Sequence, residues 1–241
     1  MKNIFFIPIL LLALSFGVAA EESVSLQHAN ISPTDNESLQ RGAKHFVTYC
    51  QGCHSIKHIR YQRMSLDFGI DDKKVLTEIA PQGATIYEQM HTAMNAHDSE
   101  KWFGIQPPDL SLIARSRNAD WLYSYLKSFY TDTKKPLGTN NLIFKDVGMP
   151  NVFWQLQGEQ KAMYKTVDGQ QEIEKLAVDV PGTLSEQDFD AMINDLVNFL
   201  VYVGEPIKLE RQRLGKYVLF FLGMFLFISY LLKKEYWKDV H

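Results

Sequence analysis

The longest apolar run in the chain lies near its end. From Leu214 to Leu232 almost every position is apolar, and Lys216 is the one charge. Nineteen residues in a helix rising ~1.5 Å each span roughly 28 Å, the hydrocarbon thickness of a bilayer. No polar face interrupts the run, so it predicts a membrane-crossing helix rather than a core helix. Lys216 can snorkel to the interface, and Tyr217, Tyr230, Tyr236 and Trp237 resemble an interfacial aromatic belt. A second apolar run, Ile4 to Val18, follows Lys2 and ends at Val18-Ala19-Ala20 before Glu21-Glu22. That is the pattern of a secretory signal, with cleavage expected after Ala20.

Between these runs the apolar positions are periodic. Leu39, Ala43, Phe46 and Val47 recur at helical spacing from a start capped by Asp35 or Asn36. Residues 70–94 read as mixed helix starting at Asp71-Asp72 and broken by Pro81-Gln82-Gly83. Residues 118–130 read as a helix with Trp121, Leu122, Tyr125, Leu126 and Phe129 inward, an aromatic stripe read as core packing. Weak alternation from Lys165 to Val180 predicts a small hairpin turning at Asp168-Gly169. Ser185-Glu186-Gln187-Asp188 resembles a capping box. It opens a helix whose stripe runs from Phe189 through Met192, Ile193, Leu196 and Phe199 to Val203, and Gly204 ends it.

The predicted organisation is therefore a signal over 1–20, an exported domain over 21–206, a basic linker over 207–213, an anchor over 214–232 and a short tail over 233–241. Basic residues flank the anchor almost equally on both sides, so they do not set its orientation. The signal does: it exports the domain and leaves the tail inside. Residues 21–210 carry 18 Lys and Arg against 26 Asp and Glu, a net charge of −8. An acidic surface of this kind steers basic partners and disfavours nucleic acid.

Candidate chemistry centres on Cys50-Gln51-Gly52-Cys53-His54, which holds both cysteines of the chain. Cys-x-x-Cys-His is the attachment pattern for c-type haem: two thiols bond the porphyrin edge and the next residue offers an imidazole to iron. A dithiol redox pair, half a zinc site and a small disulfide are the competing readings. No second Cys-x-x-Cys completes a zinc tetrahedron, and the segment before Cys50 reads as helix where a thioredoxin-like motif needs a strand. His45 reads as a packing or surface residue. Met90, His91, Met94, His97 and Met149 are all candidate second ligands by type. Pro107-Pro108 fixes extended backbone with free carbonyls, suited to partner the second ring nitrogen of a ligating histidine.

Taken in order, Cys50-x-x-Cys53-His54, Pro107-Pro108-Asp109-Leu110-Ser111 with Arg115, Gly148-Met149-Pro150 and one C-terminal anchor resemble cytochrome c1 of the bacterial type. That family is the haem subunit of quinol–cytochrome c oxidoreductase, the bc1 complex. The resemblance covers the mature chain and implies a mainly α fold: a c-type cytochrome domain with irregular insertions, a small β-hairpin and one transmembrane helix. It implies one covalent haem c held by Cys50 and Cys53, with His54 and Met149 as the iron ligands. Pro107 and Pro108 would line the histidine side, Arg115 would pair with a propionate, and Tyr61 would lie near the haem. The implied function is a one-electron relay, not bond-making. Electrons would come from the Rieske iron–sulfur subunit and leave to a soluble cytochrome c. Cytochrome b would be a fixed partner in a dimeric complex of the bacterial inner membrane, with the haem domain on the periplasmic side. The chain departs from the family in the short Pro150-Asn151 after the methionine and in having no cysteines for an extra disulfide. Another membrane-anchored monohaem cytochrome, of an oxidase or reductase, and an exported thiol–disulfide oxidoreductase are the alternatives.

Overall fold

A computed structural model describes residues 25–167 and 169–239. The expected signal and Asp168 of the expected turn lie outside the described residues. Two crossed helices organise the rest. Helix α1 (Asn36–Tyr49) starts where the Asp35 carboxylate accepts from the Glu37 and Ser38 amides, and it runs straight into Cys50. Helix α8 (Glu186–Gly204) starts at Ser185, whose hydroxyl accepts from the Asp188 amide. Leu39, Ala43 and Phe46 of α1 are buried against Ile193, Leu196 and Phe199 of α8. Each of the buried Leu, Ile and Phe side chains contributes about 1.5–3 kcal/mol.

The crossing is close because of Gly42. A Cβ there would lie 2.0 Å from the Asp195 carbonyl oxygen of α8, so only glycine lets the two backbones meet. Beside it, Arg41 Nε and Nη2 donate to the Asp195 carboxylate at 2.6 and 3.0 Å, a two-pronged pair that fixes the register. Asn198, fully buried, donates to the Ser32 carbonyl at 2.8 Å and to Ser38 Oγ at 3.0 Å. The extended lead-in is thereby tied across α8.

Several elements differ from the periodic reading. After the cysteine motif the chain forms β1 (Ile56–Arg60) and α2 (Tyr61–Phe68), which the basic, aromatic composition did not indicate. The 70–94 helix is real only as α3 (Asp72–Glu78), capped by Asp71. Beyond Pro81 the chain makes two turns, closed by the Ala84 amide on the Pro81 carbonyl and the Glu88 amide on the Thr85 carbonyl, and reaches the short strand β2 (Gln89–Met90), antiparallel to β1. Helix α4 (Ala96–Phe103) precedes the two prolines. The short helix α5 (Ile113–Arg117) and α6 (Ala119–Lys127) follow them.

The helix expected over 118–130 ends at Lys127, and Phe129–Thr131 forms β3, which pairs with β4 (Thr139–Asn141). One turn of helix, α7 (Trp154–Gln157), leads into a ribbon much longer than expected. It consists of β5 (Gly158–Val167) and β6 (Gln170–Pro181). Its base is pinned where Gln160 Nε2 donates to the Lys127 and Phe129 carbonyls at 2.8 and 2.9 Å. The architecture is thus mainly helical with three two-stranded ribbons among the described residues.

Helix α9 (Lys208–Tyr236) is long and apolar enough to cross a membrane and buries none of its side chains in the rest of the chain. It begins six residues before the apolar run, so the basic stretch expected as a linker forms its first turns. At the junction Glu205 accepts from Arg211 and faces Arg115 Nη1 at 3.7 Å.

Candidate functional site

The end of α1 builds the cysteine motif. The amides of Cys50 and Gln51 both donate to the Phe46 carbonyl at 2.8 and 2.9 Å, and those of Cys53 and His54 return to the Cys50 carbonyl at 3.0 and 2.8 Å. This tight turn presents both sulfurs and the His54 ring on one side. Gln51 points the other way, into the protein, where its Nε2 donates to Tyr61 Oη at 2.8 Å and to the His91 carbonyl at 3.1 Å. Tyr61 is buried and does not line the cavity described below. The resemblance put it near the haem; its contact is with the spacer of the motif.

The Pro107–Ser111 segment clamps the chain that follows His54. The Leu110 amide donates to the Ser55 carbonyl at 2.9 Å. The Asp109 carboxylate accepts from the Lys57 and Ser111 amides at 3.0 and 2.9 Å, and Ser111 Oγ accepts from the His58 amide at 3.2 Å. Desolvation pushes the Asp109 carboxyl up, but the bonds from the Ser111 hydroxyl and amide and from the Lys57 amide outweigh it and hold the group below its ordinary range. With the segment fixed, His54 Nδ1 lies 2.8 Å from the Pro108 carbonyl oxygen. A carbonyl only accepts, so Nδ1 carries the proton and Nε2 keeps a free lone pair. Burial lowers the His54 pKa further than the Pro108 carbonyl and Asp109 raise it, which keeps the ring neutral.

An apolar cavity of about 330 Å³ opens beside this turn. Cys50, Cys53 and His54 form one wall with Pro107 and Pro108, and Met149 forms another. Of the candidate ligands, only Met149 shares the cavity with His54. Met90 is fully buried in β2, His97 is exposed at the start of α4, and His91 and Met94 line an adjoining, polar cavity of about 410 Å³ that shares Cys53, Pro107 and Pro108 with the first but lacks His54. Met149 sits between Gly148 and Pro150 on irregular backbone, and Tyr125 Oη donates to its Sδ at 3.4 Å. Trp121 and Tyr125, read from the sequence as core, line the cavity together with Leu196 and Leu200 of α8.

Arg115 does not line it. Its guanidinium turns to Glu205, and Arg117, two residues on, is the arginine in the wall, with its guanidinium carbon 4.9 Å above the Trp121 ring. The spacing of two arginines on a five-residue helix could not distinguish them.

Neither cysteine is in a disulfide. Burial pushes the Cys50 thiol up to about 12 and Cys53 upward as well. A dithiol oxidoreductase needs the opposite, a depressed thiol pKa. The chemistry of the donor set fits a haem: two thiols on one edge, a neutral imidazole, a thioether in the same cavity, apolar walls and one guanidinium.

A model of the cytochrome C1 family matches residues 27–240. The chain is also 46% identical to cytochrome c1 of Allochromatium vinosum over 244 aligned residues, covering the whole of both. The chain belongs to the cytochrome c1 family. It is 43% identical, over 98% of each chain, to a protein of Nitrosomonas europaea named ammonia monooxygenase gamma subunit. It is 27% identical to cytochrome c1 of Rhodospirillum rubrum, covering 86% of this chain and 83% of that one. As a member of the cytochrome c1 family it is a haem-carrying electron carrier of the bc1 complex with a covalently bound haem c, and it works in that complex with cytochrome b. Among the described residues one helix, α9, is long and apolar enough to cross a membrane, and it is compatible with the membrane anchor of that subunit.

Proposed function

We propose that Cys50 and Cys53 carry the two thioether links, that His54 is the proximal ligand through Nε2, and that Met149 is the sixth ligand. The observation that carries this reading is the single cavity shared by both cysteines, His54 and Met149. When bound, the haem supplies a one-electron ferric–ferrous couple, whose potential His/Met ligation raises. The protein's residues do the rest. Pro108 orients the imidazole, Pro107 and Pro108 cover its side, the aromatic and aliphatic walls exclude water, and Arg117 places a positive charge at the cavity with Arg115 on the neighbouring surface. Two protein ligands leave no open position for oxygen or a substrate.

In this reading the electron arrives from the Rieske iron–sulfur subunit and leaves to a soluble cytochrome c, which the net negative domain attracts if that partner is cationic. The complex is dimeric. The signal over 1–20 exports the domain over 21–206, so it lies on the periplasmic side of the bacterial inner membrane, anchored by 214–232 with 233–241 in the cytoplasm.

The test is the purified membrane-bound protein. One c-type haem per chain, copurifying with b-type haem and an iron–sulfur subunit, supports the reading. A c-type haem copurifying with oxidase subunits or copper instead overturns the partner assignment. Protease added to spheroplasts is expected to digest the haem domain, and protection of that domain overturns the orientation.

A further inference from the structure

We propose that Tyr125 is a positioning residue for the electron carrier: its hydroxyl holds the Met149 thioether and weakens it as a donor, which raises the potential. The inference rests on Met149 as sixth ligand. It begins from the 3.4 Å hydrogen bond of Tyr125 Oη to Met149 Sδ, both of them in the cavity wall.

The phenol is not free to swing away. Its ring stacks on Trp121 with centroids 4.9 Å apart and planes within 9°, and it meets Phe129 edge-on at 5.2 Å. Trp121 is itself covered by the Arg117 guanidinium. The Tyr125 carbonyl accepts from Asn141 Nδ2 at 2.8 Å, which ties the backbone of α6 to β4. Met149 lies on a loop between Gly148 and Pro150 and belongs to no helix or strand. The ring held in the helix therefore orients the side chain that leaves irregular backbone.

A thioether sulfur has two lone pairs. One that accepts the phenol proton leaves the second for a metal on the cavity side. The shared lone pair makes sulfur a poorer donor. A ferric ion depends on donation more than a ferrous ion does, so the reduced form gains and the potential rises. Ordinary core packing would need only the ring of Tyr125; the inference concerns its oxygen.

Tyr125→Phe keeps the ring and removes that oxygen. In the full-length, haem-loaded protein, the midpoint potential is expected to fall by the equivalent of a threefold to tenfold change in oxidised-to-reduced ratio. That is about 30–60 mV at 59 mV per decade. The near-infrared methionine-to-iron charge-transfer band is expected to persist at a shifted position. An unchanged potential and band overturn the inference. A fluorinated tyrosine placed at position 125 is a stronger donor and gives the converse test, with a rise expected and no rise overturning the proposal; it also serves if the Phe variant does not accumulate. In a Met149→Leu background the Tyr125→Phe effect is expected to vanish, because the two act as one unit. A full effect there assigns Tyr125 a merely structural role and overturns the inference. Persistence of the methionine band in Met149→Leu alone instead removes the ligand assignment, so the two failures are distinguishable.

Discussion

His54 Nδ1 and the Pro108 carbonyl oxygen lie 2.8 Å apart, joined across 54 positions of chain. The bond selects the tautomer that leaves Nε2 available, and the proline ring and the Asp109–Ser111 clamp keep the carbonyl in place. Substituting both Pro107 and Pro108 by alanine frees φ at two positions without removing the carbonyl. The bond is expected to loosen and the imidazole to become a weaker donor. The potential then rises by about 30 mV, half a decade at 59 mV per decade. Redox titration checks the sign, and a fall would contradict the role given to the carbonyl.

Covalent attachment depends on two thiols on one turn. With Cys50→Ala and Cys53→Ala together, haem is expected to be fully extractable by acid-acetone, whereas the parent retains it. Resistance to extraction in the double variant would rule out these attachment points.

Gly42 is expected to be intolerant of any side chain. An alanine Cβ would press on the Asp195 backbone, which cannot yield without moving α8 and with it Leu196 and Leu200 in the cavity wall. Overpacking of this kind costs typically about 1–3 kcal/mol, sometimes more. Denaturant unfolding of full-length Gly42→Ala measures it, and a loss below about 0.5 kcal/mol would show that the crossing is looser than the contact implies.

The clamp carries a pH dependence. Desolvation raises the Asp109 pKa, but bonds from Ser111 and from the Lys57 amide outweigh it and depress the folded value below the ordinary 3.8. A depressed carboxylate stabilises the fold above its unfolded pKa and loses that contribution as pH falls through the lower, folded value. Acid below about pH 4 is thus expected to loosen Pro107–Ser111, at no more than about 1 kcal/mol because the group is screened by solvent. Asp109→Asn is expected to remove this part of the acid dependence. Identical acid unfolding curves for the parent and the variant would contradict it.

The sequence alone was sufficient wherever a local rule applies. Cys50-x-x-Cys53-His54 needs one turn of chain, Asp35 and Ser185 cap the helices they precede, and the run from Leu214 has no polar face to bury. Proline's lack of an N–H was enough to suggest a rigid carbonyl near the imidazole. An aromatic stripe is different, because it says that one face is covered without saying by what. Trp121 and Tyr125 read as core, and only the approach of the Phe144–Val152 loop makes them cavity wall. Arg115 and Arg117 are equivalent on a short helix until Glu205, ninety residues from Arg115, takes one of them. β1 and α2 were illegible for a similar reason. Ile56, Ile59 and Tyr61 are buried by residues distant in the chain, and their pattern is too short to declare a period. The tertiary fold decided these points, since it alone brings distant segments to a common cavity.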